Sequence, residues 1–97
     1  MTADISTVLG IVKARLNRLP GDTSLDDYLT ARINAAAAEM SRNGIELRNT
    51  PEDVMLLADM TVWQYQCRDK PGAMPDWLRL RRRERWLSEH AGDGDAP

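Results

Sequence analysis

Phenylalanine is missing from this chain, cysteine and histidine occur once each, and aromatics make up only 5% of it. A single cysteine, Cys67, excludes an intrachain disulfide and a cysteine zinc cluster. A single histidine, His90, excludes a His-rich metal site and argues against a Cys–His catalytic pair. No apolar run approaches the roughly 20 residues of a membrane span, and the first residues lack the basic region and long apolar stretch of a signal peptide. Glycine-rich phosphate loops and metal-ligand spacings are missing as well. The adjacent acids Asp26-Asp27 and Glu52-Asp53 stand at helix starts, where capping and the helix dipole account for them. Excess positive charge is also lacking: the net charge of -2 excludes a globally basic nucleic-acid protein. The chain reads as a soluble, intracellular, non-enzymatic protein with no cofactor and no metal.

What is present suits one small domain. At 97 residues, 42% apolar and 29% charged, the chain can build a core but not two lobes around a cleft. Two-residue alternation is nowhere sustained. Ile45-Glu46-Leu47 is the lone strand-like fragment, too short to make a sheet. The expected class is all-α: a bundle of four main helices, a short extended segment near 45–47 and a flexible C-terminal tail. The helical domain is expected to cover residues 1–89 and the tail 90–97.

The helices are expected near 5–19, 24–43, 51–68 and 75–89. The first follows Asp4 as N-cap, carries Ile5, Val8, Leu9, Val12, Leu16 and Leu19 at helical spacing, and stops at Pro20-Gly21. The second starts after Thr23-Ser24, either of which can cap, and carries Leu25, Leu29, Ile33, Ala36 and Met40 up to a glycine stop at Gly44. Thr50-Pro51-Glu52-Asp53 opens the third with a capping hydroxyl, an N1 proline and two acids. The predicted core is Val8, Leu9, Val12, Leu16, Leu29, Ile33, Ala36, Met40, Val54, Leu57, Ala58, Thr61, Tyr65 and Leu80.

Two helices carry a second message. At about 100° per residue, the third places Val54, Leu57, Ala58, Thr61 and Tyr65 on one side and Leu56, Met60, Trp63 and Cys67 nearly opposite. It is therefore the central helix, one shared with a neighbouring subunit, or both. On the second helix, Ala31, Ala35, Ala38 and Tyr28 form a small-residue surface, explained by helix propensity or by close helix approach. Cys67 reads as a small buried hydrophobe and His90 as an exposed residue at a helix end.

The fourth helix concentrates five arginines between Arg79 and Arg85 with two tryptophans. Its apolar positions Trp77, Leu80 and Leu87, with Glu84, are expected to dock on the bundle, leaving Leu78, Trp86 and the arginines outside. Such a helix suits solubility alone, phosphate contact, or contact with an acidic partner protein surface anchored by Trp and Arg. No helix-turn-helix, zinc-finger or RNA-binding aromatic pattern supports the nucleic-acid alternative.

The order of these segments has a counterpart. Leu25-Asp26-Asp27-Tyr28-Leu29 leads a helix through Ile33-Asn34-Ala35-Ala36 into Asn43-Gly44-Ile45-Glu46-Leu47. A long helix then ends in Trp63-Gln64-Tyr65-Gln66-Cys67-Arg68, followed by the loop Asp69–Pro75 with its Met74-Pro75 opening and the Leu/Arg helix Trp77 to Leu87. Over residues 22–88 this resembles the small head–tail connector (head-completion adaptor) proteins of long-tailed bacteriophages and prophages. The resemblance implies a structural virion protein, located at the head–tail interface and in the host cytoplasm during assembly. It implies a homo-oligomeric ring of about twelve copies under the portal protein, a closed head-to-tail association. Such a ring extends the DNA channel without sequence-specific binding and docks the next connector or tail-terminator protein. On this reading the protein interface draws on Trp63, Met74, Leu78, Arg79, Arg82, Arg83, Arg85 and Trp86. Asp26, Asp27, Glu46, Glu52 and Asp53 are candidates for the complementary patch, and the loop 69–75 is expected to be a contact element.

Overall fold

The computed structural model describes residues 3–19, 21–67 and 72–91. Residues 1–2, Pro20, residues 68–71 and residues 92–97 lie outside them, and with these the expected loop start and most of the expected tail. The fold is all-α: α1 (Ile5–Arg15), α2 (Asp26–Arg42), α3 (Pro51–Gln66) and α4 (Asp76–Glu89). The first three pack against one another in all pairings, and α4 packs on α3 alone among the helices. The third helix is thus the central one, and its two apolar faces are largely covered within the chain: Val54, Leu57 and Ala58 on one side, Leu56 and Met60 on the other, are buried, while Tyr65, Trp63 and Cys67 are half-buried.

Local chemistry explains the helix ends. Asp4 caps α1, its Oδ1 accepting the Ser6 N–H at 3.2 Å, and Thr50 caps α3 by accepting the Asp53 N–H at 3.3 Å. Hydrogen bonds from Thr7 and Ser6 hold the Asp4 carboxyl below the usual carboxylate range. Neither Thr23 nor Ser24 caps α2. Leu25 takes that position without a side-chain bond, and Asp22 instead gathers the Ser24 hydroxyl at 2.7 Å and its N–H at 3.1 Å.

The first helix is shorter than expected because Asn17 adopts a left-handed φ of 58°. The Arg18 N–H then reaches the Lys13 carbonyl (2.8 Å) and the Asn17 N–H the Ala14 carbonyl (3.1 Å), the paired bonds of a Schellman stop. The second helix ends the same way at Gly44, with φ 90°, Ile45 N–H on the Met40 carbonyl (2.9 Å) and Gly44 N–H on the Ser41 carbonyl (3.1 Å). This turn sends Ile45 and Leu47 into the core, with Glu46 and Arg48 outside. The extended segment therefore closes the core without pairing as a strand.

Ten of the predicted core residues are buried; Leu9, Leu16 and Tyr65 pack against the core from its edge. Leu80 does not belong there, being 51% exposed, and Leu78 takes its place at 0%. Ala31, Ala35 and Ala38 remain exposed on α2. Cys67 is half-buried rather than buried.

A methyl group at Gly44 would force a left-handed backbone on an L side chain and bring its Cβ to 2.9 Å from His90 Nε2 and 3.1 Å from Trp86 Nε1. Gly44→Ala should therefore lower stability by at least about 1–2 kcal/mol in urea unfolding. Gly10→Ala meets nothing within 4 Å in mid-helix and should be neutral or stabilising.

Candidate interaction surface on the fourth helix

The orientation of α4 is set by two carboxylates on α3. Asp53 and Asp59 fall on the Leu56–Met60 half of that helix and are 3% and 4% exposed. A carboxylate removed from water needs a cation or several donors, and α4 supplies cations. Arg85 grips Asp53 through two bonds, Nε to Oδ1 at 2.7 Å and Nη2 to Oδ2 at 3.2 Å. Arg81 reaches Asp59 Oδ2 at 2.7 Å, and Arg15 of α1 holds Oδ1 from the other side. Arg85 also donates to the Glu46 carbonyl (2.7 Å) and to Glu89 (3.2 Å), while the Arg48 N–H donates to Asp53 at 2.8 Å and Arg48 Nη1 to Glu89 at 3.1 Å. These contacts tie α4, α3 and the 45–48 segment into one cluster.

The electrostatic signs follow. The hydrogen bonds Arg85 donates to Asp53 and Glu89, joined by the charges of both carboxylates, outweigh burial and raise the affinity of Arg85 for its proton. Arg48 first, then Arg85, holds the Glu89 carboxyl below the usual range. Farther away, Lys13 Nζ lies 2.9 Å from Asp26 Oδ1. That contact is an ion pair without good hydrogen-bond direction, since the same oxygen accepts no well-aligned bond among the described residues.

Turning arginines inward turns apolar residues out. Leu78, Arg81, Arg82, Arg85, Trp86 and Glu89 lie toward the body of the protein at helical spacing. Trp77 and Leu80, expected in the core, are 49% and 51% exposed. The helix is thus turned by about 150°, at 100° per residue, from the orientation its apolar stripe predicts. This corrects the expected site in two places: Leu78 is fully buried and has no surface to offer, and Arg85 is committed to Asp53.

The other expected contact residues form two groups. Arg79, Arg82, Arg83 and Trp86 line one groove of about 300 Å³ with Asn43, Ile45 and Leu87. Trp63 and Met74 line another, of about 400 Å³, with Glu39, Gln64 and Arg32. The Trp86 indole donates to the Asn43 carbonyl at 2.9 Å and stacks on His90, with centroids 4.1 Å apart. His90 Nε2 lies 3.1 Å from the Gly44 carbonyl, so His90 is a packed residue and not the exposed one expected. Of the acids expected to form a complementary patch, Asp53 is buried and Asp26 is paired with Lys13. Asp27 and Glu52 are exposed, and Glu46 is exposed and bonded to Ser41.

What sequence reasoning missed were Asp53 and Asp59. Asp53 was accounted for by its place in the first turn, and Asp59 drew no notice. Their signal was there: both fall on a helical face that also carries Leu56, Met60 and Trp63, where an acid has no bland role. No group of His, Cys, Asp or Glu among the described residues could hold a metal ion, and none of their helices is long and apolar enough to cross a membrane. Comparison with protein-family models, curated proteins and solved structures finds no match.

Two outcomes test this electrostatic arrangement. Asp53→Ala strands a largely buried guanidinium, and Arg85→Ala strands a buried carboxylate. Each should cost about 3–5 kcal/mol, with the double substitution costing well under the sum. For Glu89 the folded-state pKa is lowered, so its contribution is complete above the ordinary carboxylate value and is lost as pH falls through the folded value. Stability should hold between about pH 7 and pH 5 and decline below about pH 4. Urea titrations should show a shallower decline for Glu89→Gln.

Proposed function

We propose that this protein is a structural subunit of the head–tail connector of a long-tailed phage or prophage, assembling as a ring beneath a portal. The observation that carries the reading is the outward face of α4. Trp77 and Leu80, both about half exposed, sit one turn apart, with the exposed Arg79 and Arg83 beside them. An exposed tryptophan next to leucine and arginine has the composition of an interface anchor. The segment order resembling the connector family adds the class of assembly. The polar residues of the interior support a structural role, since Asp53, Asp59, Arg81 and Arg85 pair with one another and hold helices together.

Nucleic-acid binding through α4 is less well supported. Of its five arginines, Arg81 and Arg85 are bound to interior carboxylates, and Arg79 pairs with Asp76 at 3.0 Å. Ring contact in this proposal runs through Trp77 and Leu80, and DNA meets the assembled channel without sequence-specific contacts.

Electron microscopy of the purified protein, alone and mixed with portal rings from the same genome, tests the reading. Wild-type protein should form closed rings or decorate the portal. Trp77→Asp with Leu80→Asp should abolish assembly and leave helicity and urea midpoint unchanged, because neither side chain is in the core. A wild-type protein that remains monomeric with portal, and that binds duplex DNA with a steep salt dependence, overturns it.

A further inference from the structure

The groove beside Trp86 adjoins the Trp77–Leu80 face, with Arg79 and Arg83 between the two, and its chemistry is selective. Trp86, Leu87 and Ile45 make its lining mainly apolar, while Arg79, Arg82 and Arg83 stand around it. No acidic residue is among those lining it. The three guanidinium groups are weakly satisfied within the chain. Arg79 pairs with an Asp76 that is itself open to water, Arg82 lies 3.9 Å from Glu39, and Arg83 makes no ion pair with the described residues. Arg81 and Arg85 on the same helix, by contrast, are held by buried carboxylates.

We infer that this groove is a docking site for an acidic segment of a partner protein, one apolar side chain entering the groove and flanking carboxylates pairing with Arg79, Arg82 and Arg83. The inference rests on the structural-adaptor reading above and names the chemistry of the partner that the adaptor would receive. Charge complementarity selects the flanks: three weakly paired cations around an apolar floor attract carboxylates and orient them bidentately. The floor selects the anchor. Trp86 is held by its bond to Asn43 and its stack on His90, and it abuts Gly44, so little ordering is needed on binding.

A phosphate backbone suits the site less. One face of the Trp86 ring is already covered by His90, and the indole N–H is already donated, so the ring is poorly placed to stack between bases. Three cations on an otherwise acidic chain also give only a shallow counterion term.

The test uses the full chain labelled with nitrogen-15 and a capped heptapeptide with one central leucine between aspartates and glutamates (DEDLDED). A serine-centred control (DEDSDED) and a short DNA duplex serve as competitors. The leucine peptide should shift the Trp86 indole resonance and the backbone amides of residues 43–45 and 82–87. Arg83→Glu, which disturbs no internal pair, should weaken it about tenfold or more, and the serine control should bind as weakly. Three results each overturn the proposal: no shifts in the groove at millimolar peptide, equal binding by the serine control or by Arg83→Glu, or occupation of the groove by duplex DNA in preference to peptide. Ring formation is a separate readout. Peptide binding by a chain that never forms rings would sink the connector reading alone, and rings without peptide binding would sink this one alone.

Discussion

Two carboxylates on the central helix, Asp53 and Asp59, must find counter-charges inside the protein, and the fourth helix is arranged around that demand. Each acid is nearly closed to water, and an isolated buried carboxylate costs several kcal/mol. Arg85 and Arg81 answer it at 2.7 Å each. Once those two arginines point inward, the rotation of the helix is decided. Leu78 enters the core, Trp77 and Leu80 leave it, and the remaining arginines are distributed around a groove. Such pairs add little net stability compared with apolar packing. Their effect is to choose one orientation of an amphipathic helix that has two.

The same cluster reaches into the connection between α2 and α3. Arg85 bonds the Glu46 carbonyl, and Trp86 and His90 meet the carbonyls of Asn43 and Gly44. This works because Gly44 takes a left-handed turn and leaves no side chain between the rings and the backbone. One conformational choice, the Schellman stop of α2, therefore places Ile45 and Leu47 in the core and also gives the end of α4 a seat. The surface proposed for partner contact is in this sense a consequence of interior chemistry, since its floor and its arginines are what the buried pairs leave over.

The sequence was most legible where local rules operate alone. Asp4 and Thr50 announced their caps, Gly44 announced the stop, and the four helices appear near their expected bounds. The two apolar faces of α3 correctly implied burial on both sides, and within the chain α3 is the central helix. Legibility failed where a polar pair outranked apolar patterning. On α4 the stripe of Trp77, Leu80 and Leu87 is a fair helical face, and nothing local reveals that Leu78, Arg81 and Arg85 form the face that docks. That information resides on α3, eighteen or more residues away, and becomes readable only when Asp53 and Asp59 are seen to share a side with Leu56 and Met60. His90 was misplaced for a related reason, because its partner Gly44 is 46 positions distant. The contact residues named from sequence consequently divide into a groove set, a second set near Trp63 and Met74, and two interior residues, Leu78 and Arg85.

The rotation of α4 is the central claim, and thiol accessibility measures it most directly. In a Cys67→Ser background, single cysteines at positions 77, 78 and 80 can be labelled with a small maleimide under native conditions. The structure predicts rapid labelling of Trp77→Cys and Leu80→Cys and strong protection of Leu78→Cys. Protection should be lost in Leu78→Cys when Asp53→Ala and Asp59→Ala are added. Protection at 77 and 80 with free reaction at 78 would place the apolar stripe against α3 and contradict the account.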